Sequence, residues 1–124
     1  MELFWGKVRS GKARGRKLGF PTANIALHKK IPEGVYLSKT RVNTDWHPSL
    51  TFIGVAKTFE ETKYQSETYL LNYNTSFYNQ WITIKLIKKL RNNKKFSNAD
   101  ALVNQMKEDE KDAREYFSRT VHSL

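Results

Sequence analysis

Alternation dominates the first four-fifths of the chain. From Trp81 to Leu90, Ile82, Ile84 and Leu86 fall on one side and Thr83 and Lys85 on the other, the period-two mark of a half-buried strand. Shorter runs with strand character cover Leu3–Val8, Gly34–Val42, Leu50–Val55 and Glu67–Tyr73, the second of them opened by the turn Pro32-Glu33-Gly34. Several short strands with turns between them predict a closed or nearly closed antiparallel barrel. The period then lengthens. Ala99, Leu102, Val103, Met106, Ala113 and Phe117 share one helical face, and most of the six acids between Asp100 and Glu115 take the other. Ser97 followed by Asp100 predicts a capping box with Asp in place of Glu. The pattern predicts one domain over residues 1–124, with a barrel over about 2–96 and a helix over about 98–118 that closes one side.

Composition narrows the class. A chain of 124 residues with 39% apolar and 27% charged positions suits a soluble globular protein with one core. The longest uncharged run, Thr68–Ile84, contains Asn72, Asn74 and Gln80 and is too polar to cross a bilayer. The opening Met1-Glu2-Leu3-Phe4-Trp5 lacks the regions of a signal peptide, so a cytoplasmic location away from membranes is expected. Without cysteine there is no disulfide, thiolate metal site or thiol nucleophile.

The net charge of +10 is concentrated in two clusters, one from Lys7 to Lys17 and one from Lys85 to Lys95. Such a field attracts a nucleoside triphosphate, a nucleic acid or an anionic surface, and charge alone does not choose among them. Gly6 to Ala13 has the G-x-x-x-x-G-K spacing of a P-loop, but Ala13 stands where a hydroxyl must hold magnesium. Gly15, Gly19 and Pro21 also exclude the helix that a P-loop requires next. The same basic, glycine-punctuated stretch still suits an anion held by backbone N–H groups.

The next block is far more specific. Gly15-Arg16-Lys17-Leu18-Gly19-Phe20-Pro21-Thr22-Ala23-Asn24 resembles the riboflavin kinase signature G-R-x-L-G-F-P-T-A-N. The resemblance continues in order through Pro32–Tyr36, Ile53–Phe59, Ser66–Leu71 and Leu90–Phe96, and covers the chain from about Phe4 to Phe117. It implies a mainly β, single-domain, six-stranded antiparallel Greek-key barrel with a C-terminal helix. It also implies transfer of the γ-phosphate of ATP to riboflavin, giving FMN and ADP with Mg²⁺ or another divalent cation. By resemblance Thr22 and Asn24 hold the metal and the nucleotide phosphates, and Glu67 is the catalytic base. Gly11, Arg16, Lys17, Leu70, Asn72 and Tyr78 fall on the ATP side, and Arg91, Lys94 and Phe96 around the flavin.

Some positions depart from the family pattern. Tyr69 replaces a His, Ala56-Lys57 an Asn-Pro pair, Asn79 a Gly and Asn93 a Glu. Bacterial relatives carry this module behind a nucleotidyltransferase domain, and no H-x-G-H motif occurs here, so FMN without FAD is expected. A monomer is expected, with riboflavin, FMN, ATP and ADP as partners and nucleic acid not among them. The rival readings are a barrel that binds RNA or single-stranded DNA by stacking on Trp5, Trp46, Tyr64 and Trp81, and a flavin-binding relative that lacks turnover or uses CTP.

Overall fold

All the strands foreseen from alternation are present, in one sheet. The computed structural model describes residues 2–8, 22–57, 62–72 and 79–119. Its strands are β1 (Leu3–Lys7), β2 (Ala23–Ala26), β3 (Gly34–Val42), β4 (Asp45–Lys57), β5 (Thr62–Leu70) and β6 (Trp81–Arg91), followed by helix α1 (Ala99–Arg119). They pair antiparallel in the order β1-β6-β3-β4-β5-β2.

The sheet rolls until its two edge strands meet. A Cβ on Gly6 of β1 would collide with Cγ2 of Ile25 on β2, so glycine is what lets the edges approach. Lys29, just past β2, donates to the Leu3 carbonyl at 3.0 Å and pairs with Glu2 at 2.7 Å. Phe4, Ile25, Tyr36, Ile53, Leu70, Ile82, Ile84 and Leu86 fill the interior. That interior also holds a ladder of buried hydroxyls. Thr40 bonds Ser49 at 2.9 Å, Ser49 bonds Ser38 at 2.7 Å, Ser38 bonds Thr51 at 2.7 Å and Thr51 bonds Thr68 at 3.0 Å. Each hydroxyl satisfies its neighbour across β3, β4 and β5, so the polar groups cost little to bury. On the opposite face Val35, Leu37 and Leu50 pack under Ala113 and Phe117 of α1.

The structure differs from the sequence reading at four places. β4 begins at Asp45, five residues before Leu50, because Asn43 takes φ 59° and closes a two-residue hairpin. The polar stretch Asp45–Ser49 concealed that extension. β5 begins at Thr62 and ends at Leu70, with Leu71 and Asn72 in a turn and Tyr73 outside the described residues. β2 is a strand where alternation predicted none, four residues being too few to show a period. The helix is capped by Asn98, whose Oδ1 accepts the Ala101 N–H at 2.8 Å, and Ser97 lies outside it.

Candidate active site

On β5 the buried Ser66, Thr68 and Leu70 point into the barrel, which turns Gln65, Glu67 and Tyr69 outward. Glu67 therefore stands half-buried on the outer wall. Its direct cross-strand neighbours are Asn24 on β2 and Phe52 on β4. Such neighbours place their Cβ atoms about 5 Å apart on the same face. The expected base and one expected metal ligand thus sit side by side, although 43 positions separate them in the sequence.

Beyond Glu67 lies a cleft of about 190 Å³, lined by Phe52, Glu67, Arg91, Lys94, Phe96 and Met106 among others. β4 and β5 form its floor, and the turn after β6 and the first turns of α1 form its walls. The three residues expected near a flavin line the same cleft as the expected base. Phe52 and Met106 were not foreseen as site residues. Their strand and helix periodicity marks them as apolar, and only the packing of α1 beside β4 places them here.

Arg91 is held in place. Its Nε donates to Asp109 Oδ1 at 2.8 Å and its Nη2 to Oδ2 at 2.7 Å, and the Asp109 side chain is 1% exposed. Gln105, one turn earlier on α1, donates to Asp109 Oδ1 at 3.0 Å and accepts from Lys94 Nζ at 3.0 Å. Two cations of the cleft are therefore tethered to one face of the helix. Asp109 is one of the six acids that the helical pattern puts mostly on the outer face, but here it points inward. A guanidinium with two parallel bonds to one carboxylate is the favourable way to bury such a charge. Gly34, at φ +151°, starts β3 beside this turn, and a Cβ there would lie 3.0 Å from the Arg91 carbonyl.

The remaining expected site residues are placed differently. Thr22 is buried, and among the described residues its Oγ1 has no hydrogen-bond partner. Leu70 is a core residue, with its side chain buried inside the barrel. Asn72 accepts from Arg114 of α1 at 3.0 Å. Gly11, Arg16, Lys17 and Tyr78 lie outside the described residues.

Three of the departures from the family pattern have local structural answers. Asn79 has φ 67°, a conformation that asparagine tolerates better than most residues, which explains how it replaces glycine. Asn93 donates to the Ile53 carbonyl at 3.0 Å and fixes the late turn to β4. The Tyr69 hydroxyl donates to Glu110 Oε2 at 2.6 Å. Burial first, and then that bond to Glu110, push the Tyr69 phenol up from 10.0 to about 12. Because the folded-state value is raised, the stability it contributes is complete below pH 10 and is lost as pH rises through about 12. The thermal midpoint is expected to fall across that window, and Tyr69→Phe is expected to flatten the fall. Parallel melts of both proteins check it, and identical profiles would remove Tyr69 from the docking of α1.

Comparison with known proteins bears on the family and the fold. The Flavokinase family, described as riboflavin kinase, matches residues 3–117. A bifunctional riboflavin kinase/FMN adenylyltransferase of Listeria monocytogenes is 37% identical over 118 residues, which cover 92% of this chain and 38% of that protein. A solved riboflavin kinase from Trypanosoma brucei superposes with a TM-score of 0.65 at 25% identity, over 94% of this chain and 79% of that one. A Streptococcus pneumoniae chain described as a macrolide-efflux protein superposes at 0.83 with 30% identity, over 90% of this chain and 38% of its own. The chain therefore spans less than half the length of the bacterial relative named here. With the family match over residues 3–117 and a like barrel in a solved riboflavin kinase, the chain belongs to the riboflavin kinase family.

Proposed function

We propose that the chain transfers the γ-phosphate of ATP to the terminal hydroxyl of the ribityl chain of riboflavin, giving FMN and ADP. The observation that carries this reading is the cleft that joins Glu67 to Arg91, Lys94 and Phe96, with Asn24 at its β2 side. Phe96 and Phe52 offer apolar faces to a flat ring, and Arg91 and Lys94 offer donors to its polar edge. Glu67, on the floor of the cleft, orients the substrate hydroxyl in this reading and accepts its proton as the new phosphorus–oxygen bond forms.

Thr22 and Asn24 are the residues that would hold a divalent cation. The buried Thr22 oxygen, which has no partner among the described residues, supports that fit, since such an atom is costly to leave unsatisfied. Neutral oxygen donors suit a Mg²⁺ whose charge is balanced mainly by phosphate oxygens. When bound, the ion supplies charge neutralisation for the transferring phosphoryl group. Arg91, Lys94 and the backbone around Thr22 need only hold the two substrates in line.

The direct test incubates the protein with riboflavin, ATP and Mg²⁺ and separates the flavins. FMN is expected. Folded protein that makes no FMN from ATP, CTP or GTP would leave only the flavin-binding or nucleic-acid reading. Removing the metal donors is expected to lower turnover severely with little change in thermal midpoint. Thr22→Val keeps the shape of the side chain and discards an oxygen that has no partner among the described residues, and Asn24→Ala changes only a half-exposed position. Rate against Mg²⁺ concentration, measured beside thermal melts, checks this. Variants that melt at ambient temperature while excess Mg²⁺ changes nothing would make the segment a structural turn.

A further inference from the structure

The chain has three tryptophans, and the fold puts all of them on the outside of one part of the barrel. Trp5 is 64% exposed, Trp81 66% and Trp46 39%. They lie on β1, β6 and β4, which with β3 are consecutive in the sheet. The register pairs Trp5 with Thr83, Thr83 with Arg41, and Arg41 with Trp46, one row across four strands. Trp81 pairs with Lys7 and so sits diagonally beside Trp5. Tyr64 does not belong to this face, since it lies on β5 opposite Val55. The row beside it pairs Lys85 with Lys39, and the Arg41 guanidinium lies 5.5 Å from the centre of the Trp46 ring.

This surface is costly to leave bare. Exposed tryptophans clustered on one face mark an interaction site rather than scattered surface residues. Like charges directly opposite on adjacent strands repel each other. Burial first, and then the neighbouring Lys85, hold the Lys39 amine below its ordinary value. Among the described residues, the outward positions of this row and its two neighbours include Lys7, Lys39, Arg41 and Lys85 but no Asp or Glu. A second copy would bring the same cations against these, so self-association fits poorly. The occupant must be anionic and must also carry flat faces for the indoles.

We propose that this face binds single-stranded nucleic acid, with bases stacked on Trp5 and Trp81 and phosphates held by Arg41, Lys39 and Lys85. An open groove of about 700 Å³ between Trp5, Arg41 and Trp81 provides the track. Stacking on exposed aromatics along a cationic sheet is tolerant of sequence, and a row across four strands at about 4.8 Å per strand reaches over two or three nucleotides. The outward side chains of this surface are not those lining the cleft of Glu67 and Arg91. The activity is therefore additional to phosphoryl transfer and does not depend on it.

The experiment is fluorescence anisotropy of 5′-labelled dT20 and U20 against the whole chain, over a salt series. Binding is expected to weaken with salt by a slope of about −2, as three phosphate contacts require. Trp5→Ala with Trp81→Ala is expected to weaken binding by on the order of tenfold or more while FMN formation stays unchanged. Three outcomes would overturn the proposal: no binding at low salt, equal binding by the double variant, or polyphosphate competing as well as the oligonucleotide. Sedimentation completes the test, because a dimer that dissociates on Trp5→Ala would assign the face to a second copy.

Discussion

Glu67→Gln is expected to bind riboflavin and ATP normally and to turn over slower by on the order of 10²-fold or more. Glutamine keeps the shape of the side chain and one oxygen, so the contacts along β4 and β5 survive. It loses the capacity to accept a proton. General bases contribute roughly 10²–10⁴-fold, and the loose transition state of phosphoryl transfer asks little of the base early on. That argues for the lower half of the range. The loss is expected in kcat with the riboflavin KM little changed, because the carboxylate acts as the proton leaves rather than on binding. The half-buried position of Glu67, between Asn24 and Phe52, sets it beside the proposed metal donor and the proposed flavin cleft. Steady-state kinetics on both substrates checks this. A variant with more than about half the native rate would leave positioning and metal as the whole of catalysis.

The fold was legible where one face is buried and the other wet. β6 is the clearest case, with Ile82, Ile84 and Leu86 inside and Lys85 outside. β2 was not legible, since its Ala23 and Ile25 form only two inward positions. Its role depends on pairing with β5 and on the gap that Gly6 leaves for Ile25, both long-range facts. The polar start of β4 was hidden in the same way, whereas β3 was legible over its whole length, Gly34–Val42. Ser38, Thr40, Ser49 and Thr51 are polar by sequence and are in fact fully buried, each satisfied by the next. The site followed the same logic. The motif blocks named Thr22, Asn24, Glu67 and Arg91, but spacing could not show that Asn24 and Glu67 are direct neighbours. Asp109 escaped because a charged helix normally solvates its acids. The available signal was Gln105 four residues earlier, which puts two side chains able to bond cations on one face of α1.

Asp109 carries the largest expected effect on stability. Its carboxylate is 1% exposed and makes both bonds to an Arg91 side chain that is itself only 15% exposed. Asp109→Ala leaves that guanidinium in a poorly hydrated place without its counter-charge, a change that typically costs about 3–5 kcal/mol. For a domain of this size the thermal midpoint is expected to fall by on the order of 10 °C. Gln105 loses the same partner and Lys94 its indirect tether, so the late turn is expected to loosen. If Arg91 and Lys94 meet the flavin, the riboflavin KM rises more than the ATP KM. The double change Arg91→Met with Asp109→Leu separates the two effects. Replacing a buried pair with apolar groups of similar volume is often neutral. That protein is expected to recover most of the lost thermal stability while riboflavin affinity, read from the quenching of flavin fluorescence, stays weak. Recovery of both would make Arg91 and Asp109 a structural clamp and move flavin recognition to Phe52 and Phe96. Recovery of neither would show that the pair directs the docking of α1 itself, since Met and Leu would then have failed to replace its geometry.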